Sequence, residues 1–450
     1  MYRDHHAGRP RGQVTRVAGR TGTSGSHGER RRPAHPAYLA GLFLLLTGAP
    51  PTEAQRASGW PTPRVKLGVD VLVEDGYKPL AGRQVGLITN PTGVAGDLRP
   101  TIDVLHRAAR VQLVALFGPE HGVRGDAPAG DKVEDGLDLP TGLPAYSLYG
   151  KTRKPTREML RGVDVLVYDI QDIGARSYTY ISTLAVAMEA AAENHVDFVV
   201  LDRPNPCGGL RVEGRPLDLK FQSFVGQIPV PYMHGMTVGE LARMINEEGW
   251  NKDGVKCNLH VVPMRGWRRD MTWDQTGLAW IPTSPHIPRA DTALFYSATG
   301  IIGELETLSI GVGYTLPFEL VGRPDLEPHR LAAELNARGL AGVYFRPLHY
   351  QPYYAAFAKQ NCGGVQVLLT DRARVELTAV QFHVLDAIRK LHPQIELFTG
   401  KRDSMFDKVC GTDEIRKLIV AGRPIDEVLA AWRAGVDAFR EQRAKYLLYE

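Results

Sequence analysis

The 450-residue chain lacks most of the signatures by which an enzyme class is read from sequence. Its four cysteines, Cys207, Cys257, Cys362 and Cys410, contain no C-x-x-C pair, which argues against a zinc ribbon or a thioredoxin-like redox site. In an oxidising compartment they allow one or two disulfides; buried free thiols are the alternative, and spacing alone does not choose between them. No G-x-G-x-x-G follows the first apolar strand, and G-x-x-x-x-G-K-[ST], G-x-S-x-G and H-E-x-x-H are all missing. Dinucleotide, nucleoside triphosphate, serine-hydrolase and zincin readings therefore lose support. A net charge of only +4 over this length makes nucleic acid a poor partner. No apolar run approaches the roughly 18 residues that suggest a membrane span.

The excess positive charge gathers in residues 1–33, where Arg3, Arg9, Arg11, Arg16, Arg20 and Arg30-Arg31-Arg32 are interrupted mainly by Gly, Ser and Thr. Such a basic leader cannot pack a core. A short apolar stretch from Tyr38 to Leu46 follows, then small residues ending at Ala54. Basic flank, short apolar centre and a cleavage site after Ala54 make residues 34–59 a signal peptide and linker. That predicts export to the periplasm or beyond, with no stable membrane insertion after cleavage; a retained anchor is the competing reading.

From residue 60 onward, at 43% hydrophobic and 23% charged residues overall, the chain has ordinary globular composition. Short apolar runs at Val85–Thr89, Leu113–Phe117, Val163–Asp169, Val196–Leu201 and Leu259–Val262 alternate with helical patterns at Leu184–Asn194 and Val238–Glu248. Thr237 and Glu240 are spaced as a capping box for the second helix. This alternation predicts an α/β domain over 60–263, with a parallel sheet covered on both faces. After Met264 the texture changes to Trp- and Pro-rich, then Gly-rich, then mixed. A smaller α+β domain over 264–450 is expected, with a helix near Leu331–Ala337, a strand at Val365–Leu369 and a helix at Val375–Leu391, and with the active-site cleft between the domains.

Each early strand of the first domain runs into a dense polar loop: Thr89-Asn90-Pro91-Thr92-Gly93, Gly118-Pro119-Glu120-His121-Gly122-Val123-Arg124-Gly125, Asp169-Ile170-Gln171-Asp172-Ile173-Gly174-Ala175-Arg176 and Asp202-Arg203-Pro204-Asn205-Pro206. At the carboxyl edge of an open parallel sheet, neighbouring loops diverge and leave a crevice for ligand. Turn chemistry accounts for the Gly, Pro and Asn but not for the charged residues.

The inventory suits sugar chemistry, where one carboxylic acid protonates the leaving oxygen and a second group acts at the anomeric carbon. Glu120 is the acid candidate, on a Gly-Pro turn beside His121, which either supports it or is an ordinary loop histidine. Asp169 and Asp172 are candidates for the partner carboxylate, or else cap the loop and orient Arg176. Arg124 and Arg176 each offer a two-pronged grip on a substrate carboxylate, against ordinary salt bridges. Asn90 and Asp202, at strand ends, and Tyr178 complete the expected binding groups. Alternation places only one of Tyr178 and Tyr180 in the cleft. No cofactor is expected.

These runs carry a resemblance. G-L-I-T-N-P-T-G-V at Gly86–Val94, L-F-G-P-E-H-G-V-R-G at Leu116–Gly125 and D-I-Q-D-I-G-A-R-S-Y-T-Y from Asp169 resemble the NamZ-type exo-β-N-acetylmuramidases. So do L-D-R-P-N-P at Leu201–Pro206, V-E-G at Val212–Gly214, H-G-M-T-V-G-E-L at His234–Leu241 and W-I-P-T-S-P-H-I-P at Trp280–Pro288. The resemblance implies a Rossmann-like catalytic domain followed by a smaller one. It further implies release of N-acetylmuramic acid from the non-reducing end of peptidoglycan fragments, with the motif glutamate at Glu120. It also gives the arginines a lactyl carboxylate to hold, and offers an acetamido group able to assist at the anomeric carbon. One departure is that the family pattern has an arginine in the Gly-rich loop before P-F-E. Here that loop reads Gly311-Val312-Gly313-Tyr314-Thr315-Leu316, so Tyr314 is the residue expected to stack on a sugar ring. Two rivals share the cleft: a metal-dependent hydrolase using His121, Asp169 and Asp172 as hard ligands, and a glycan-binding protein without turnover.

Overall fold

Alternation of side chains along the strands builds the first layer. In the computed structural model, which describes residues 63–125 and 134–450, β1 (Gln84–Thr89), β2 (Gln112–Gly118), β3 (Gly136–Asp138), β4 (Leu143–Ser147), β5 (Val165–Asp169), β6 (Asp197–Leu201) and β7 (Leu259–Val262) form one sheet. Its order is β3-β4-β2-β1-β5-β6-β7, parallel throughout except for β3 against β4. Strand β5 shows the two-residue period: Val165 and Val167 face one core with α1 (Gly68–Glu74) and α2 (Thr101–His106), whereas Leu166 and Tyr168 face the other with α3 (Tyr180–Glu193) and α4 (Val238–Glu248). Burial on both faces explains why these strands read as continuous apolar runs. Thr237 and Glu240 make the expected reciprocal cap on α4. The chain turns back at β1, since β2 lies on one side of it and β5 to β7 on the other. The β1/β5 crevice is therefore the topological switch point, where an open α/β sheet binds its ligand.

A second, three-stranded antiparallel sheet has the order β8-β10-β9, from β8 (Leu320–Arg323), β9 (Val343–Tyr350) and β10 (Cys362–Leu369). Against it pack α6 (Thr292–Gly303), α7 (Pro328–Ala337) and α8 (Leu377–Leu391), after the short α5 (Trp273–Thr276). Four more helices, Asp403–Cys410, Glu414–Val420, Ile425–Arg433 and Val436–Arg443, close the chain. The core of this half takes in Ile173, Ala175, Tyr232 and Met233 from the loops above the large sheet, so one apolar cluster spans both halves. Gly59–Glu450 is a single compact unit. The helix α6 has no counterpart among the elements expected from the sequence.

All four cysteines carry free thiols, three of them buried, which decides between the two expectations for them. Among the described residues no helix is long and apolar enough to cross a membrane. The basic leader and signal segment lie outside the described residues.

Arg176 joins the halves. Its guanidinium donates from Nη1 to the carbonyls of Arg215 and Val230 at 2.8 and 2.7 Å, and from Nη2 to those of Val409 and Cys410 at 2.9 and 2.8 Å. Replacing it strands four inward-facing carbonyls, each costing on the order of 1–3 kcal/mol if left unpaired. Arg176→Met should therefore lose more than about 3 kcal/mol in urea unfolding; a loss under about 1 kcal/mol would show that the clamp is dispensable.

Candidate active site

Strand β2 ends at Gly118, and the next four residues form a turn closed by Gly122 N donating to the Pro119 carbonyl at 3.0 Å. His121 occupies the third position with φ 73°, as a type II turn requires. Positive φ is uncommon outside glycine, although histidine tolerates it better than most residues. The turn leaves Glu120 half-buried at its tip. Tyr149 shares a hydrogen bond with the Glu120 carboxylate; burial first, and that charge second, push its phenol up. Tyr180, Tyr296 and His286 lie within electrostatic reach of the same carboxylate, and His286 also feels His121. His286 Nε2 lies 3.0 Å from the Tyr354 hydroxyl, so a loop of the second half reaches this group. The turn carrying His286 is pinned by two tyrosines: Tyr178 donates to Thr283 Oγ1 at 2.7 Å and Tyr180 to the Thr283 carbonyl at 2.6 Å. Tyr178 is half-exposed and Tyr180 buried.

At the switch point four buried polar atoms have no hydrogen-bond partner among the described residues: Asn90 Nδ2, Gln171 Oε1, Asp172 Oδ1 and His234 Nε2. Native proteins leave few such atoms, and a group of them at one sheet edge is directed at something other than the fold. Asn90 is held by Thr92, whose N and Oγ1 both donate to its Oδ1, at 3.0 and 2.5 Å. Gln171 ties the loops after β5 and β6 by donating to Asp172 O and Pro204 O at 2.8 and 2.7 Å. Gly93 must be glycine here, because a Cβ would stand 2.0 Å from Thr89 Oγ1. His234 Nδ1 accepts from Met236 N at 3.2 Å, so the neutral ring carries its proton on Nε2, 3.8 Å from Asp172 Oδ2. Burial pushes the Asp172 carboxyl up to about 7 and the His234 imidazole down to about 3. Tyr296 feels both Asp172 and Glu120.

Four expected site residues have other work. Asp169 is fully buried and accepts from Arg203 Nε and Nη2 at 2.5 and 2.9 Å and from Thr101 Oγ1 at 2.5 Å, so both its oxygens are engaged. Asp202 caps α4, accepting from Gly239 N at 2.8 Å, Thr237 Oγ1 at 2.7 Å and Tyr449 OH at 2.5 Å. Arg176 is sealed among carbonyls and cannot meet a substrate. Arg124 forks onto Asp138, Nε to Oδ1 at 2.8 Å and Nη2 to Oδ2 at 3.0 Å, which fastens β3 to the Glu120 loop. Tyr314 packs on Tyr350 and Tyr353, with centroids 5.5 and 6.3 Å apart. Sequence reasoning missed Tyr149, Tyr296, Tyr354, His234 and His286. The two histidines sit inside the recognisable runs, whereas the three tyrosines carry no local signal.

Among the described residues no three His, Cys, Asp or Glu side chains form a metal-ligating group, so His121, Asp169 and Asp172 are not brought together as ligands. A cavity of about 1320 Å³ is lined by residues such as Arg211, Glu213, Asp291, Arg372, Glu376 and Arg433 and does not include Glu120. Its charges largely satisfy one another: Arg211 pairs with Glu213, Arg372 with Asp291 and Arg433 with Glu376. Among the described residues one unpartnered buried polar atom, Arg269 Nε, belongs to its lining, whereas several lie at the switch point. A test of that edge follows from Asp172. Its folded carboxyl holds a proton that the unfolded chain, with an ordinary carboxylate, has released between about pH 4 and 7. The Asp172 contribution to stability should therefore fall as pH rises through that window and level off above it, by at most about 1.4 kcal/mol per pH unit. Because the neutral His234 contributes with the opposite sign and Asp202, raised to about 6, with the same sign over this range, the quantity to read is the difference between wild type and Asp172→Asn in urea titrations; a difference flat with pH would show that Asp172 carries no such contribution.

Comparison with known proteins agrees with this architecture. The family model for the exo-β-N-acetylmuramidase NamZ N-terminal domain matches residues 85–291, and that for its C-terminal domain matches residues 294–449. Peptidoglycan β-N-acetylmuramidase NamZ of Bacillus subtilis (strain 168) is 43% identical over 415 residues, covering 92% of this chain and 99% of that protein. Two crystal structures of DUF1343 family proteins from Bacteroides fragilis NCTC 9343 superpose on it. One has a TM-score of 0.83 at 51% identity, covering 87% of this chain and 100% of the other. The second has a TM-score of 0.70 at 30% identity, covering 86% and 99%. With both models matched end to end, the chain belongs to the exo-β-N-acetylmuramidase NamZ family.

Proposed function

We propose that the chain is an exo-acting glycoside hydrolase that releases N-acetylmuramic acid from the non-reducing end of peptidoglycan fragments. The observation that carries this reading is Glu120 in the turn after β2, hydrogen-bonded to Tyr149 and within electrostatic reach of Tyr180, Tyr296 and His286. Glu120 gives its proton to the glycosidic oxygen as the C1–O bond breaks and the leaving saccharide departs as an alcohol. The acetamido oxygen of the same sugar closes on C1. Water then opens that ring, giving a proton to the Glu120 carboxylate and restoring the acid. With both Asp169 oxygens engaged, Asp172, whose Oδ1 has no partner among the described residues, is the carboxyl that orients the acetamido group. Export is part of this proposal, supported by the basic, apolar and small-residue order of residues 1–59.

Mass spectrometry of free N-acetylmuramic acid released from a MurNAc-GlcNAc disaccharide tests the reading. Glu120→Gln should lower the rate about 10²- to 10⁴-fold, the usual contribution of a positioned acid, and EDTA should leave the wild type unchanged. No release by the wild type would overturn the assignment, and loss of activity on chelation would favour a metal-dependent hydrolase.

A further inference from the structure

The sugar proposed for this site differs from other N-acetylhexosamines by its lactyl carboxylate, so selectivity needs a cation beside Glu120. The arginines on the loops at this edge are engaged elsewhere: Arg124 with Asp138, Arg203 with Asp169, and Arg176 with four carbonyls. Arg153 is not. Its guanidinium carbon lies 5.3 Å from the ring centre of Tyr149, the residue hydrogen-bonded to Glu120, and 4.2 Å from that of Phe224. The two rings come from different loops, one after β4 and one after β6. The side chain is exposed. Among the described residues no carboxylate pairs with it, whereas its neighbour Lys154 is bound by both Glu189 and Glu193.

An arginine held on aromatic faces keeps its charge and its planar fork of N–H donors, with the donor edge available for a two-pronged bond to a carboxylate. We infer that Arg153, positioned by Tyr149 and Phe224, binds the free lactyl carboxylate of the terminal N-acetylmuramic acid and so selects glycans whose lactyl group carries no peptide. An amide at that position, as a stem peptide creates, removes the negative charge and places an N–H against a group that has only donors. This inference rests on the proposed muramidase activity.

The test compares kcat/KM for MurNAc-GlcNAc with that for the same disaccharide bearing a lactyl carboxamide, in the wild type, Arg153→Gln and Arg153→Lys. The wild type should prefer the carboxylate about 10- to 100-fold, the range expected for a hydrogen-bonded charge pair. Arg153→Gln should lose that carboxylate-over-carboxamide preference, and Arg153→Lys, a point charge, should fall between. Equal losses on both substrates would mark a structural role and overturn the assignment, as would a wild type indifferent to the carboxylate. A wild type that releases nothing from either substrate would remove the muramidase reading itself, and the assignment with it.

Discussion

A fully enclosed guanidinium with no carboxylate beside it governs how the two halves of this protein meet. Burial lowers the Arg176 pKa to about 10, so it remains cationic at neutral pH, and four carbonyl dipoles replace its hydration. Two of those carbonyls, from Arg215 and Val230, belong to the long loop after β6. The other two, from Val409 and Cys410, end a helix of the second half. The geometry is demanding: Gly411 passes so close that a Cβ there would sit 2.8 Å from Arg176 Nη2, and its φ of 75° already favours glycine. Because Arg176 follows directly on the β5 loop, fixing its head fixes that loop. The loop in turn sets where Asp172 and Ser177 face Tyr296 of the second half.

The charged groups along this sheet edge divide by what surrounds them. Asp169, Asp202 and Arg124 are paired or capped through two or more hydrogen bonds each, which makes them struts between loops. Breaking a buried pair such as Asp169–Arg203 leaves an uncompensated charge, so these residues hold the strand ends at fixed separation. Around Glu120 lie the phenols of Tyr149, Tyr180 and Tyr296 and the imidazole of His286. A phenol can exchange hydrogen bonds with a carboxyl in either protonation state, as the proton donor of the proposed mechanism requires.

The large sheet was legible because buried parallel strands are apolar on both faces, and strands β1, β2 and β5 to β7 lie within two residues of the apolar runs. Helix α4 was legible from its capping box. Strands β3 and β4 are short and half-exposed, and α6, almost wholly apolar, has no polar face to give it a period, so none of these stood out. At the site, sequence identified the loops and Glu120, but it could not tell which charge meets which. That Asp169 belongs to Arg203, 34 residues on, or that Arg176 finds two of its carbonyls more than 200 residues away, is decided by tertiary packing alone. Tyr149 and Tyr296 were invisible for the same reason: a tyrosine in a loop or a helix reads as packing until its hydroxyl is placed.

The pairing pattern leaves one carboxyl unaccounted for. Asp172 is buried, with Oδ2 bonded to Gly174 N at 2.6 Å and 3.8 Å from His234 Nε2, and with Oδ1 without a partner among the described residues. Such an arrangement works against stability, since a buried polar group left short of hydrogen bonds costs more than an apolar side chain of the same size. A fold indifferent to chemistry would close the gap with a donor, as it has done for Asp169 and Asp202 on the neighbouring strands. The gap lies at the topological switch point, with Tyr296 in electrostatic reach of both it and Glu120, where a ligand amide could supply the missing bond. The contrast among three aspartates on adjacent loops therefore separates Asp169 and Asp202, completed by the protein, from Asp172, whose open oxygen the proposed mechanism gives to the acetamido group of the substrate.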